Sequence, residues 1–378
     1  MNKKYWDENK IQLLKSYSEN PNLTQADIAD KMNTTYDAID HAQRRYGIKQ
    51  VTEEKQKEKT KWSNSEILEE VQYYIEAIRQ TSFKYNDIYK DIKYKGAWNS
   101  VKQTEDQVQL FSDMHTGMVN VAPITGEVTY NKEIQEKELQ NLLKGNQRFY
   151  QLYKPAYNIE IFYIFGLGDC LTNDRIYEGQ KSEITCTVGS QIKLTFEYIS
   201  DYIKHLLELY PRIVYINIVG NHGRTTSNYV SESAVDNFEY YIGLLLQERF
   251  KDNKRVEIVN PEDYAYTLQI KGHRYLLTHG NSIRGAALNS IEKAVKEIAL
   301  LVEQEPYAVI CIGHFHSCYE FPISPKTTLL VNGCWIHNDN YAYEKLHKFS
   351  TAKQFLFNVS KKSALHSVQK IDLRWDMR

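Results

Sequence analysis

The sequence predicts an α/β protein with a mixed sheet, preceded by a small all-α N-terminal domain. Three observations carry this. From residue 107 onward, short apolar strands alternate with amphipathic helices. Later strand-like segments near 327–332, 352–358 and 367–373 follow one another without long helices between them, so the sheet mixes directions. The first 50 residues, by contrast, show only helical spacing. The expected division is 1–50 as a three-helix domain, 51–106 as a charged linker and helical connector, and 107–378 as the α/β domain.

Composition bounds the rest. A chain of 378 residues has room for two or three units at roughly 100–200 residues per domain. Apolar residues make up 42% and charged residues 25%, which excludes a disordered tail and a collagen-like repeat. The formal net charge of −1 means that any nucleic-acid contact must come from local patches. No run of 18 apolar residues occurs, so no membrane span is expected. Met1–Asp7 leads into acidic sequence without the apolar core of a secretory signal. Five cysteines with no CxxC pair read as reduced thiols in a cytoplasmic protein rather than as disulfides or a structural zinc site. Glycine is scarce, at 17 in the whole chain. Each glycine therefore says more about where the backbone must bend tightly.

Taking the elements in order, residues 7–18 carry Ile11, Leu14 and Tyr17 at helical spacing, and Asn20-Pro21-Asn22 breaks the pattern. Thr24 suits an N-cap, with Asp27 three residues on, for a second helix that turns Ile28 and Met32 inward. Asn33-Thr34-Thr35 restarts a third helix bearing Ala38, Ile39 and Ala42 and ending in Arg44-Arg45, with Gly47 placed as its C-terminal stop. A short helix, a tight turn and a helix with a basic end follow helix-turn-helix logic. With Trp6 ahead of it, the segment resembles Myb-like and resolvase-like domains. Arg44 and Arg45 are then the candidate DNA contacts. Residues 1–61 hold 12 Lys and Arg against 10 Asp and Glu, a weak bias, and docking to a protein is the alternative for this bundle.

Residues 51–61 mix charges without apolar spacing. Residues 62–106 read as helical, with Ile67, Val71, Ile75 and Ile78 in one stripe; a degenerate second copy of the first bundle is a lesser alternative. Strands are expected at 107–112, 158–165, 212–219, 273–278 and 308–312, and helices at about 132–152, 190–209, 232–249 and 286–304.

Five of these strands run into loops with metal-binding side chains. They are Asp113-Met114-His115-Thr116-Gly117, Gly166-Leu167-Gly168-Asp169, Gly220-Asn221-His222-Gly223-Arg224, His279-Gly280-Asn281 and Gly313-His314-Phe315-His316. In an open α/β sheet, sites form beyond the carboxyl ends of the strands. A single histidine at a strand end is ordinarily structural, and DxH or GHxH alone is weak. Five such loops, each after a strand, are another matter. Seven of the 17 glycines lie in them, namely Gly117, Gly166, Gly168, Gly220, Gly223, Gly280 and Gly313, and should gather around one centre.

In this order the five segments resemble the calcineurin-like metallophosphoesterase superfamily, over about residues 107–372. The resemblance implies two packed mixed β-sheets flanked by helices, with a dinuclear metal centre between the strand ends. Carried over position by position, one metal would take Asp113, His115, Asp169 and His316. The other would take Asp169, Asn221, His279 and His314, with Asp169 bridging. His222 would be the catalytic acid or transition-state contact. Carboxylate and imidazole donors suit Mn, Fe or Zn. The expected cofactor is two divalent ions, Mn²⁺ first, with Fe or Zn as alternatives. Two metals about 3.5–4 Å apart clamp both sides of an in-line phosphoryl displacement and lower the pKa of water from 15.7 to about 7. Arg224 and Arg284 are the nearest cations in sequence and are candidates for phosphate oxygens, with surface ion pairing as the equal alternative.

Two departures narrow the likeness. Many members read GDxxD and GNHD. Here Gly168-Asp169-Cys170-Leu171-Thr172 is followed by Asp174 one place late, and Asn221-His222-Gly223 has no Asp. The carboxylate that usually orients the histidine is thus displaced, and Asp174 is one candidate to replace it. Together with Ile176-Tyr177-Glu178-Gly179-Gln180, these loops look like a phage-type branch related to DNA repair exonucleases. Stretches 118–131 and 170–188 are polar insertions expected at the site mouth, as a wall or lid. Tyrosine is abundant at 29, with pairs at Tyr73-Tyr74 and Tyr240-Tyr241 and with Tyr177 and Tyr229 near the site loops. These either stack on bases or simply pack with the hydroxyl outward.

The leading functional reading is a dinuclear-metal-dependent phosphodiesterase, a DNA nuclease with DNA as its partner and the N-terminal helices as a targeting module. A phosphomonoesterase or protein phosphatase is the second reading. A DNA-binding regulator with a decayed phosphoesterase domain is the third, disfavoured because every carried-over ligand is present. No membrane partner is expected, and oligomeric state stays open between monomer and homo-oligomer.

Overall fold

The computed structural model describes residues 6–20, 23–49, 103–122, 126–226, 233–283, 288–302, 306–338 and 350–376. The expected linker and helical connector up to residue 102, Arg284, Tyr73-Tyr74 and Tyr229 lie outside the described residues. The chain separates into two compact units, Met1–Trp98 and Asn99–Arg378.

In the first unit, α1 (Glu8–Ser18), α2 (Gln25–Lys31) and α3 (Tyr36–Tyr46) each begin on a side-chain cap. Asp7 accepts from the Lys10 N–H at 2.9 Å. Thr24 and Asp27 form a reciprocal capping box. Thr35 caps α3, and Gly47 closes it in the left-handed region at φ 67°. Leu14, Ile28, Ala29, Met32, Ile39 and Ala42 make the small core, with Trp6, Tyr17 and Tyr46 packed against it. Buried Gln43 donates to Ser18 Oγ at 2.9 Å and accepts from Gln25 at 2.7 Å, tying the three helices together.

The second unit is built on two mixed sheets. The six-stranded sheet has the order β13-β12-β1-β4-β5-β6, with β1 Gln103–Phe111, β4 Tyr157–Leu167, β5 Arg212–Ile218, β6 Val256–Val259, β12 Lys353–Ser360 and β13 Ser363–Asp372. The five-stranded sheet has the order β10-β11-β9-β8-β7, with β7 Ala265–Ile270, β8 His273–Thr278, β9 Val309–Ile312, β10 Tyr319–Ser324 and β11 Thr327–Val331. A hairpin, β2 (Asn120–Val121) with β3 (Val128–Tyr130), stands apart. In each sheet parallel pairs sit beside antiparallel ones.

Period-two alternation assigns the faces. On β5, Val214, Ile216 and Ile218 point to a core shared with Val108, Leu110 and Phe165 and with Tyr275, Leu277, Val309, Cys311 and Leu330 of the other sheet. The two sheets therefore pack face to face. The opposite residues of β5, Ile213 and Tyr215, join a second core under the helices α4 (Lys132–Tyr153), α5 (Val188–Leu206) and α6 (Phe238–Phe250), with Leu142, Ile199, Tyr202, Ile203, Ile242 and Leu246. The far face of the five-stranded sheet takes Ile291 and Val295 of α7 (Leu288–Val302). Each such side chain contributes about 1.5–3 kcal/mol on full burial. Strands β4, β5 and β9 are largely apolar on both faces because each has a core on both sides.

Several elements differ from the sequence expectation. Residues 103–106, expected at the end of a helix, open β1 instead. Their charges hid the strand: Glu105 and Asp106 are buried yet partnered, Glu105 by Asn358 at 3.0 Å and Asp106 by Lys271 at 3.5 Å. The expected helix at 232–249 begins as a short 3₁₀ turn at Ala234–Asp236, and α6 starts only after the cap Asn237. Strands β6, β7 and β10 went unpredicted. Each is a sheet edge, half exposed, and β10 contains Pro322, which only an edge tolerates.

Candidate metal centre

The sheet registers bring the loops to one level. Phe111 is paired with Gly166, and Gly166 with Asn217, so β1, β4 and β5 end together. Thr278 is paired with Ile312, so β8 and β9 end together as well. Main-chain bonds then stitch loop to loop. Asp113 N–H donates to Gly168 O at 3.0 Å, His115 N–H to Asp169 O at 3.0 Å, and Gly313 N–H to His279 O at 3.0 Å.

Three groups of side chains result, each with its donor atoms within 4.8 Å of one another: Asp113, His115 and His316; His115, Asp169 and His222; and Asp169, His279 and His314. His115 and Asp169 each appear twice, so the groups form one continuous cluster. Asn221 joins it through Oδ1, 3.1 Å from His279 Nε2. His279 Nε2 lies 2.9 Å from Asp169 Oδ2, and His316 Nε2 lies 3.5 Å from Asp113 Oδ1. The structure thus brings together the seven carried-over donors, Asp113, His115, Asp169, Asn221, His279, His314 and His316. Asp113, His115, Asp169, His279 and His316 are buried.

The donor set fits divalent cations on three counts. His115 Nε2 faces His316 Nε2 at 3.1 Å, and among the described residues buried His115 Nδ1 has no hydrogen-bond partner. Burial, then the neighbouring His222 and His316, hold His115 well below the usual histidine range; burial and His279 push His314 down to about 3. Both shifts favour the neutral imidazole, the form that binds a metal. Burial also opposes charge on Asp169 and His279, but their mutual contact outweighs it. Asp169 is held well below the usual carboxylate range, and His279 is pushed up to about 9. A cation on these atoms competes with the His279 proton, so Mn²⁺ binding near neutral pH is expected to release protons, readable as a buffer-dependent heat in calorimetry.

The backbone tells the same story. Among the described residues, ten other than glycine have positive φ, and five of these are candidate ligands: Asp113 (54°), His115 (47°), Asp169 (54°), His314 (68°) and His316 (53°). Such conformations cost about 1–3 kcal/mol each and persist where surroundings over-determine them. Three loop glycines pack directly on ligands. A Cβ on Gly220 would meet Asp169 Oδ1 at 2.1 Å, one on Gly313 would meet Asp113 Oδ2 at 2.8 Å, and one on Gly168 would meet His279 Nδ1 at 2.9 Å.

His222 sits at the half-buried side of the cluster, its ring 4.6 Å from that of His115. Its N–H donates to Asp169 Oδ1 at 2.8 Å. Its Nδ1 lies 2.7 Å from the Thr172 carbonyl, so Nδ1 carries the proton and Nε2 is left clear of that contact. Asp174 does not orient it; that carboxylate pairs with Arg175 at 2.9 Å. A main-chain carbonyl stands in its place, held by buried Gln180, which donates to Thr172 O at 2.7 Å. Asn173 fixes the other side, donating to the carbonyls of His222 and Arg224 at 2.7 Å each. Arg224 is half-buried on the same turn. The insertions meet at the rim, where Val119 N–H donates to Glu183 O at 2.7 Å and Tyr177 places its ring 6.3 Å from His222 with its hydroxyl on Glu183.

Sequence reading missed Glu239 and Asn237. Glu239, on the first turn of α6, is buried, and its carboxyl is pushed up to about 7 by burial, then by Asp169. Asn237 caps α6 and donates to Gly220 O at 2.9 Å. Asn directly before an apolar helical run is a recognised start signal; placing the helix start at 232 concealed it.

No family model matches the chain, and no curated protein matches it. Among solved structures, it is similar to the phosphoesterase YfcE from E. coli at 10% identity, covering 70% of this chain and 99% of that one, with a TM-score of 0.32. It is similar to vacuolar protein sorting 29 from Cryptosporidium parvum at 12% identity, covering 68% and 86%, with a TM-score of 0.31. A third is Vps29 complexed with Zn²⁺ from Entamoeba histolytica, at 9% identity, covering 71% and 99%, with a TM-score of 0.30. Among the described residues no helix is long and apolar enough to cross a membrane.

Proposed function

We propose that the chain is a metal-dependent phosphoesterase of the calcineurin-like type, acting as a phosphodiesterase on DNA. The observation that carries this reading is the convergence of Asp113, His115, Asp169, Asn221, His279, His314 and His316 from five strand ends onto one cluster. Asp113, His115, Asp169 and His316 would hold one divalent ion, and Asp169, Asn221, His279 and His314 the other. When bound, such a pair supplies an acidified water and positive charge on both sides of the phosphorus.

The chain's own residues supply the rest. The Thr172 carbonyl fixes the His222 tautomer and leaves Nε2 directed away from that contact. Protonated there, it donates to a phosphoryl or leaving oxygen as charge builds. A neutral carbonyl orients the ring without adding negative charge beside a polyanionic substrate. Arg224 and Arg284 remain candidates for phosphate oxygens.

The N-terminal helices are the proposed DNA-contacting module. Arg44 and Arg45 are exposed near the end of α3; Arg44 pairs with Asp40 at 3.1 Å, and Arg45 lies over the Tyr46 ring at 5.6 Å. Pairing within the helix leaves both guanidinium groups at the surface, where phosphate contacts form.

Mn²⁺-dependent digestion tests the reading. The purified chain is expected to hydrolyse bis-p-nitrophenyl phosphate and to degrade or nick DNA; circular and linear, single- and double-stranded substrates distinguish endo- from exonuclease. Cleavage of the monoester alone would make it a phosphatase. No turnover with any divalent metal removes the enzyme reading. His222→Ala is expected to keep Mn²⁺ affinity and lose about 10²–10⁴ in rate; equal loss of both would recast His222 as a ligand. Removal of residues 1–61 is expected to weaken DNA binding and flatten its salt dependence while sparing the small diester. Unchanged DNA affinity in that truncation would end the targeting role.

A further inference from the structure

Glu239 is a buried carboxylate that none of the ligand assignments uses. It accepts the main-chain N–H of Gly220 through Oε2 at 2.5 Å and that of Cys170 through Oε1. Cys170 directly follows Asp169, and Gly220 directly precedes Asn221. One side chain therefore bridges the loops that leave β4 and β5, one atom of the carboxylate to each. The helix start around it is tied to the same loop: Phe238 N–H donates to Gly223 O at 2.7 Å, and Asn237 Nδ2 to Gly220 O at 2.9 Å. Gly220 is thus gripped at its N–H by Glu239 on the first turn of α6 and at its C=O by the cap Asn237.

We propose that Glu239 is a positioning residue that sets the separation of the Asp169 and Asn221 loops, and with it the affinity of the site for divalent metal; this rests on the metal-dependent reading above. The physical reasoning is direct. Asp169 and Asn221 come from different strands, so beyond the last ladder bonds their separation is set by contacts between the loops, among them the His222 N–H on Asp169 Oδ1 and the two N–H groups on Glu239. Two buried N–H groups from different loops each need an acceptor, and one carboxylate supplies two equivalent oxygens for them. Charge-assisted bonds of this kind are short and strong in a buried setting. An amide in the same place has one acceptor oxygen and one NH₂ group, so it satisfies one loop and repels the other. Groups that orient metal ligands from behind typically change metal affinity by about 10–100-fold when removed.

The experiment compares the full-length wild type with Glu239→Gln by calorimetric titration with Mn²⁺, with thermal melting of the metal-free chains alongside and hydrogen exchange of peptides covering 168–173 and 219–224. The expected result is Mn²⁺ affinity about 10–100-fold weaker, with faster exchange confined to those two peptides. A lower melting temperature with unchanged Mn²⁺ affinity makes Glu239 a stability residue only and overturns the proposal. If the wild type itself binds no Mn²⁺, the metal reading fails and the exchange data alone decide the clamp. If Glu239→Gln does not fold, the wild-type chain answers: the amides of Cys170 and Gly220, resolved individually, must be slow to exchange in the metal-free protein, and rates like those of exposed loop amides overturn it.

Discussion

Asp169→Asn is expected to leave a folded chain that binds Mn²⁺ at least tenfold more weakly and turns over a phosphodiester on the order of 10³ more slowly. The fold should survive because the isosteric amide oxygen can still accept the His222 N–H that Asp169 Oδ1 takes at 2.8 Å, and Asp169 O still accepts from His115 N–H. What is lost is the charge. Asp169 is the one carboxylate common to two of the three donor groups, and it stands 2.9 Å from His279. Neutralising it removes a unit of attraction for both proposed ions at once, in a buried site where screening is weak. A loss of about 4 kcal/mol in transition-state stabilisation corresponds to about 10³ in rate. Titration calorimetry with Mn²⁺ and bis-p-nitrophenyl phosphate kinetics read the two effects separately. Wild-type metal affinity in the variant would mean that Asp169 does not bridge.

The second large effect is expected from a single methyl group. Gly220→Ala would place a Cβ 2.1 Å from Asp169 Oδ1 and 2.4 Å from Asp169 N. The side chain could rotate away; the backbone nitrogen cannot. The neighbouring glycine makes the crowding mutual, since a Cβ on Gly168, at φ 87°, would meet Gly220 N at 2.5 Å. The two ligand loops approach main chain to main chain here, with no room for side chains. Relief must come from moving the Asp169 loop, at roughly 1–3 kcal/mol or more for overpacking, and the donors move with it. Melting temperature and Mn²⁺ affinity are both expected to fall. Gly189→Ala is the matched control: it lies at the start of α5, where among the described residues nothing outside its own helix lies within 4 Å of an added Cβ, and Ala is the better helix former there. Equal losses at the two sites would show that the Gly168–Gly220 contact has no special role.

Much of the fold was legible because the strongest patterns come from elements with one unambiguous environment. β4, β5 and β9 lie inside a sheet with cores on both faces, and their apolar runs stand out. Capping chemistry is equally local: Thr24 with Asp27 and Gly47 act within one helical turn, and the structure places each where the sequence puts it. The edge strands β6, β7 and β10 were illegible for the complementary reason, while the edge strand β13 was expected near 367–373. β7 exposes alternate residues and carries Thr267 and Gln269, so its pattern is diluted by solvent. β1 was misjudged at its start because Glu105 and Asp106 look like surface residues until Asn358 and Lys271 are seen beside them.

What the sequence determined by itself is the inventory: five strand ends, each followed by a short loop holding Asp, Asn or His, with seven of the 17 glycines in those loops. Residue type and spacing along the chain are local properties, and local reading recovers them. The tertiary structure decided which of those side chains meet and what holds them there. Register pairing of Phe111 with Gly166, and of Thr278 with Ile312, levels the loops within each sheet, and the His314 N–H on Asp113 Oδ1 at 3.0 Å joins loops from the two sheets. It also decided that the Thr172 carbonyl rather than Asp174 orients His222, and that Glu239 sits behind the Asp169 and Asn221 loops. A carbonyl has no sequence signature, since every residue carries one. A buried glutamate on a helix reads like an exposed one until the N–H groups that partner it arrive from other strands.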